Sequence, residues 1–221
     1  MKKICLIKPE LYLPNDLVVV GSGKILLQEA KGVEIDNSNF VVRINFPEID
    51  AYKNFTGTKT SLMIANNHVY LSYLEDKEIS DPRAYQPFIG NQDANRNLNF
   101  NRLLIISPYL VKKTKKNNKS FFFLEGRPKQ FYLTFKFLRY PNIFFSLIKI
   151  LLKKNFSVGF CFILLTIASG IKVKTFGIDL EEDMTKRECY YKKQAVGPSH
   201  NLGREHKILK KLKLKHLIDV N

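Results

Sequence analysis

Short apolar runs alternate with polar, glycine-bearing or asparagine-bearing breaks through the first third of the chain. Residues 17–20 (Leu-Val-Val-Val) stop at Gly21-Ser22-Gly23, residues 40–44 stop at Asn45, and residues 62–65 stop at Asn66. Runs of this length with such boundaries predict buried strands. Lys24-Ile25-Leu26-Leu27-Gln28-Glu29-Ala30 predicts a helix after the first of them, so the opening reads strand, tight turn, helix. Ser157-Val158-Gly159 leads into the apolar run 160–168, which predicts a buried helix, and a further strand ends at Phe176-Gly177-Ile178-Asp179. Between these, Phe131, Phe135, Leu138 and then Ile143, Phe144, Leu147, Ile148 and Leu151 recur at helical spacing, with Pro141 separating two predicted helices. Residues 1–10 read as a first strand, their apolar stretch being too short for a signal peptide or an anchor. Alternating strand-like and helix-like segments in 221 residues, 45% of them hydrophobic, predict one α/β layered domain.

Candidate chemistry sits at the ends of these runs. Glycines at a strand-to-helix turn let the backbone come close to a ligand, and helix-start amides favour a phosphate, although such turns are also common as plain connections. Asn45 and Asn66 close strand-like runs, and ligands of open α/β sheets bind at the carboxyl ends of strands. Ser157 and Gly159 offer hydroxyl and amide donors at a helix start; an ordinary N-cap is the plainer reading of the same residues. His200, five residues before Glu205, heads a terminal helical segment, and an imidazole with an unperturbed pKa of about 6.5 suits proton abstraction near neutrality.

Taken together, these islands resemble the animal-type sialyltransferases, glycosyltransferase family 29. Val18-Val19-Val20-Gly21-Ser22-Gly23, Glu34-Ile35-Asp36, Val41-Val42-Arg43-Ile44-Asn45 and Gly57-Thr58-Lys59-Thr60 look like the large sialyl motif. Ser157-Val158-Gly159 with the strand ending at Phe176-Gly177 looks like the small motif. Cys189-Tyr190-Tyr191 and His200-x4-Glu205 look like the third and very small motifs, in the family's order. The chain departs from the pattern at Ser22, where the family has Asn, at Phe156, where it has Pro, and at Leu17 and Gly170, where it has its paired cysteines. The resemblance implies a Rossmann-like variant of the GT-A fold, with a mostly parallel central sheet flanked by helices. It also implies an inverting transfer of sialic acid or a related acidic sugar from a CMP-sugar to a glycan hydroxyl. His200 would be the general base, with Glu205 beside it among the catalytic residues. Gly21, Ser22, Gly23, Asn45 and Asn66 would hold the nucleotide, and Ser157, Val158, Gly159, Tyr190 and Tyr191 the phosphate. Asp36, Arg43 and Lys59 are equally open to being ligand contacts or ties within the motif. No Asp-x-Asp is evident, so no metal cofactor is expected, and a CMP-Kdo donor with a lipid-linked acceptor is an alternative within the same chemistry. The polar run 91–97 would separate a nucleotide half, to about residue 110, from an acceptor-side and catalytic half, 111–221.

Net charge changes the picture of partners. At +16, the chain suits an acidic donor and an anionic or lipid-linked acceptor. The basic segment 112–154 interleaves lysines with aromatics and is a candidate for peripheral contact with an anionic membrane; packing of its apolar stripe on the sheet, with solvated lysines, accounts for it as well. Positive charge with aromatics also marks nucleic-acid binders, but none of their common motifs appears, and nucleic acid is not expected as a partner. Three cysteines (Cys5, Cys161, Cys189) at irregular spacing fit a reducing compartment and show no zinc pattern. Without the anchor and stem of the animal enzymes, the expectation is a bacterial, cytoplasmic form, peripheral on the inner membrane surface if the basic segment binds there.

Overall fold

The computed structural model describes residues 13–45, 47–66, 102–107, 120–125, 156–180 and 202–221. They contain one sheet whose strands are β1 (Asp16–Val20), β2 (Val41–Ile44), β3 (Leu62–Asn66), β4 (Arg102–Ser107), β5 (Ser120–Glu125), β6 (Lys172–Phe176) and β7 (Ile218–Val220). Their order is β5-β4-β3-β2-β1-β6-β7, and every neighbouring pair is parallel. All seven carboxyl ends therefore lie on one edge. The order reverses between β1 and β6, so β1, continuous in sequence with the Gly21-Ser22-Gly23 turn, borders the switch point where α/β sheets bind ligands.

Both faces of a parallel sheet must be covered, which explains why β1 is apolar at successive positions. On one face Leu17, Val19, Val42, Leu62, Ile64, Val173 and Ile218 pack under α3 (Val158–Ala168) and α4 (Leu202–Leu214), which contribute Phe160, Phe162, Leu165 and Leu209 among others. The helix α3 is apolar nearly all round because it is buried nearly all round. On the other face Val18, Val20, Val41 and Phe176 pack with Leu26 and Ile35, which belong to a 3-10 turn, Lys24–Leu27, and to α1 (Gly32–Asp36). Glu34 of α1 reaches Lys174 of β6 at 2.7 Å, and that bond holds its carboxyl below the usual range, but the pair is exposed and contributes little.

The helix expected over residues 24–30 is one 3-10 turn. Leu26 is the buried residue of that turn, seated over Gly177, where a Cβ would lie 2.6 Å from Leu26 Cδ1. The amides of Leu26 and Gln28 donate to the carbonyls of Gly23 and Ile25, at 3.2 and 3.1 Å, three residues back in each case. The chain then has to leave, because Gly32 lies against the carbonyls of Lys53 and Asn54, at the start of α2 (Lys53–Thr56), where any side chain would collide. The strand expected in residues 1–10, the polar run 91–97, the basic run 112–119 and the two helices expected in 127–154 lie outside the described residues. No described helix is long and apolar enough to cross a membrane.

Candidate active site

Continuing the register Val20↔Arg43↔Met63 past the strand ends brings Ser22 and Asn45 to one level, with Asn66, the last residue of β3, one residue further on. Adjacent strands lie about 4.8 Å apart, so these expected nucleotide positions line a short stretch of the carboxyl edge. Ser22 and Asn45 are both nearly buried, at 5% and 9% exposure. Asn45 has φ 57, a left-handed conformation that Asn tolerates better than most residues, and its amide donates to the Ile64 carbonyl at 2.8 Å.

The two glycines of the turn have a structural cause of their own. A Cβ at Gly21 or Gly23 would lie 2.6 or 2.7 Å from the carbonyl oxygen of Gly177, which follows β6 in a left-handed conformation. Their amides are also engaged: Gly21 donates to Phe176 at 2.7 Å and Gly23 to Gly177 at 2.9 Å. The turn is thus clasped to the end of β6 by its own donors. Gly21→Ala is expected to cost about 2 kcal/mol of stability, because the obstacle is backbone and cannot swing aside, and chemical denaturation would measure it.

Asp36, Arg43 and Lys59 prove to be ties within the motif. Both Asp36 carboxylate oxygens accept from the Thr58 amide, at 2.8 and 3.0 Å, and the carboxylate also takes the Thr58 hydroxyl at 3.1 Å and the Lys59 amide at 2.8 Å. Arg43 is fully buried and donates to the carbonyls of Thr56 and Lys59 and to the Thr60 hydroxyl, at 2.8, 3.0 and 3.0 Å. Lys59 Nζ donates to the Ser38 carbonyl at 2.6 Å. Buried polar groups have to be satisfied, and residues 56–60 fold around these two charges. The clasp fixes the loop between β2 and β3, and so the exit of Asn45.

Across the edge, α3 begins beside β2. A Cβ at Gly159 would lie 2.5 Å from Ile44 Cδ1, so the absent side chain lets the first turn of α3 settle next to Asn45. Ser157 caps the helix by accepting the Phe160 amide at 3.2 Å. Its own hydroxyl proton goes to Glu205 Oε2 at 2.7 Å, and its amide to Glu205 Oε1 at 2.5 Å. Glu205, in the first turn of α4, is 3% exposed. Its carboxylate thereby joins the heads of α3 and α4. Among the described residues no partner takes the amides of Val158 and Gly159, which remain as the donors that the first turn of α3 offers.

Cys161, one turn into α3, is a buried free thiol. Burial, and after it the Glu205 charge, push its pKa up to about 12. It is expected to resist alkylation in the folded protein at neutral pH and to react on unfolding, as peptide mass mapping would show. At the positions of the family's cysteines, Leu17 is in the core and Gly170, with φ 77, follows the end of α3.

His200, Tyr190 and Tyr191 lie outside the described residues. The link from Glu205 to Ser157, 48 residues away in sequence, is the part of the site that motif spacing does not reveal.

The fold recurs in known proteins. The chain is similar in fold to a mammalian sialyltransferase in complex with Gal-beta-1-3GalNAc-ortho-nitrophenol, with TM-score 0.57 and 12% identity over 93% of this chain and 68% of that one. A second structure of a mammalian sialyltransferase gives TM-score 0.57 and 13% identity over the same shares. A looser overlay, with TM-score 0.47 and 14% identity over 93% of this chain and 78% of the other, is with the sialyltransferase CstII from Campylobacter jejuni in complex with a substrate analogue, cytidine-5'-monophosphate. No curated protein sequence matches significantly. The model of glycosyltransferase family 29 (sialyltransferase) matches residues 15–217, a span that runs from β1 into the turn before β7 and takes in every motif described above. The chain belongs to glycosyltransferase family 29 and is a glycosyltransferase of the sialyltransferase family.

Proposed function

We propose that this enzyme moves sialic acid, or a related acidic sugar, from a CMP-activated donor to a glycan hydroxyl, with inversion and without a metal. The observation that carries the reading is the meeting, at one edge of the sheet, of the clasped Gly21–Gly23 turn, Asn45 and the first turn of α3, whose Val158 and Gly159 amides have no partner among the described residues. Gly21, Ser22, Gly23, Asn45 and Asn66 would form the nucleotide side. The amides of Val158 and Gly159, with the hydroxyls of Tyr190 and Tyr191, would take the charge that develops on the leaving phosphate; preorganised donors of this type are worth about 3 kcal/mol each in a transition state.

His200 would accept the proton of the acceptor hydroxyl as the bond from the anomeric carbon to CMP loosens. It precedes Leu202 by two residues, within about 7 Å of it by chain length alone. Glu205 would serve as a positioning residue, since by holding Ser157 it sets the head of α3 against the head of α4. A CMP-Kdo donor with a lipid-linked glycan acceptor uses the same arrangement.

The direct test incubates the purified protein with CMP-sialic acid or CMP-Kdo, a mixture of glycan acceptors and EDTA, and follows acceptor-dependent release of CMP. Release in EDTA with inverted product, read by proton NMR of the new linkage, supports the proposal. Transfer that requires an added divalent cation, or a retained anomeric configuration, contradicts it.

A further inference from the structure

The outer face of α4 is cationic beyond what folding requires. Leu202, Glu205 and Leu209 are buried, and Ile208 and Leu212 pack against the core. Arg204, Lys207, Lys210, Lys211, Lys213 and Lys215 are all exposed, and the single acidic residue in 202–217, Glu205, is turned inward onto Ser157. Like charges at spacings of three and four on one helix repel, and a face that only needed solvation would interleave acids with them. Basic residues in the last turn suit the helix dipole, which accounts for Lys211 and Lys213 but not for Arg204 or Lys207.

At the end of this face an apolar tip stands in solvent. Leu214 is 80% exposed and Leu217 46%. The turn that carries them is ordered by its own bonds: the Leu217 amide donates to the Leu212 carbonyl at 3.0 Å and the His216 amide to Lys213 at 2.9 Å, with His216 at φ 54. This is a Schellman cap. Its usual apolar contact between the residue after the cap and the last turn explains Leu217 beside Leu212, and it leaves Leu214 unexplained.

We propose that the end of α4 is a docking surface for an anionic lipid bilayer, with Leu214 and Leu217 entering the interface and the surrounding lysines meeting the headgroups. Charge complementarity calls for a polyanion, and the exposed leucines select which one. A nucleic-acid backbone has no use for Leu214, and residues 202–221 hold no Phe, Tyr or Trp on which bases could stack. An apolar tip ringed by lysines is what interfacial helices present to acidic membranes. The surface is independent of the transferase reading. It lies at the amino edge of the sheet, since β7 starts just beyond the turn and pairs in parallel with β6, whereas the head of α4 is tied to the carboxyl edge through Ser157. Thirteen helical residues span about 20 Å, so docking by the tip would hold the catalytic edge roughly that far from the lipid.

The test is sedimentation of the full chain with vesicles of phosphatidylcholine alone or mixed with phosphatidylglycerol. Binding is expected only to the mixed vesicles, declining as salt is raised. Leu214→Ser should weaken it about tenfold or more with the thermal midpoint unchanged, and separately Lys211→Gln with Lys215→Gln should weaken it as much, with the midpoint lowered only slightly by the lost charges at the helix end. All of these positions are exposed, so folding is not at stake. Equal binding of the variants and the parent would overturn the proposal by moving the contact elsewhere on the chain, and so would equal binding to neutral vesicles. Binding to oligonucleotides that is lost in the lysine variant and kept in Leu214→Ser, with no vesicle binding, would overturn it in favour of nucleic acid.

Discussion

His200→Ala is expected to lower transfer by about two to four orders of magnitude while CMP binding stays close to that of the parent chain. The split follows from the separation of roles. The proposed nucleotide side draws on the ends of β1, β2 and β3 and the head of α3, whereas His200 is the one base proposed for abstraction of the acceptor proton. Calorimetric titration of CMP beside initial rates with saturating donor measures the two quantities on one preparation. Joint loss of binding and transfer would mean that His200 supports the fold and that the base lies elsewhere.

Glu205→Ala should be as damaging by a different route. It removes the acceptor of two donors on Ser157, the amide and the hydroxyl, in a place where Glu205 itself is 3% exposed and water cannot readily substitute. Leaving buried donors unsatisfied costs about 3 kcal/mol in total, visible as a lower urea midpoint. The head of α3 would also lose its fixed orientation, so the affinity for CMP should fall with stability, in contrast to His200→Ala. Glu205→Gln preserves shape and one acceptor oxygen for the Ser157 amide, while the hydroxyl can turn to accept from the new amide group. It should therefore recover most of the stability and most of the nucleotide affinity. A Glu205→Gln variant as inactive as Glu205→Ala, but fully stable and with normal CMP affinity, would show that the carboxylate has a chemical role of its own.

How much of this was legible in the sequence differs from residue to residue, for physical reasons. β1, β3 and α3 are apolar runs that end in Gly, Asn or Ser and so carry their own boundaries, β2 is such a run interrupted by Arg43, and β6, Lys172-Val-Lys-Thr-Phe, shows only alternation before Gly177. β4 carries the same signal in residues 103–106, but β7 is three residues after a lysine-rich helix and is a strand only because β6 offers it an edge. The Gly21-Ser22-Gly23 turn is visible in sequence, yet its glycines are required first by the Gly177 carbonyl, an obstacle supplied from more than 150 residues away. Asp36 and Arg43 are open between ligand and tie until the loop at 56–60 is seen folded around both of them. Glu205 reads as a catalytic partner of His200 from its place in the motif, and its carboxylate also binds Ser157, a tie that the motif does not announce. Local periodicity registers what a residue is next to in the chain; these ties join elements that meet only when the sheet is complete.

The carboxyl edge of the sheet is proposed as a cytidine-nucleotide site that needs no metal. Thermal unfolding of the protein titrated with CMP, CTP, UDP and GDP in the presence of EDTA tests it most directly, since a ligand of the folded state raises the midpoint with its occupancy. A concentration-dependent rise is expected with CMP and CTP and none with UDP or GDP. Stabilisation by all four alike, or by none of them while polyanions or oligonucleotides raise the midpoint, would contradict it.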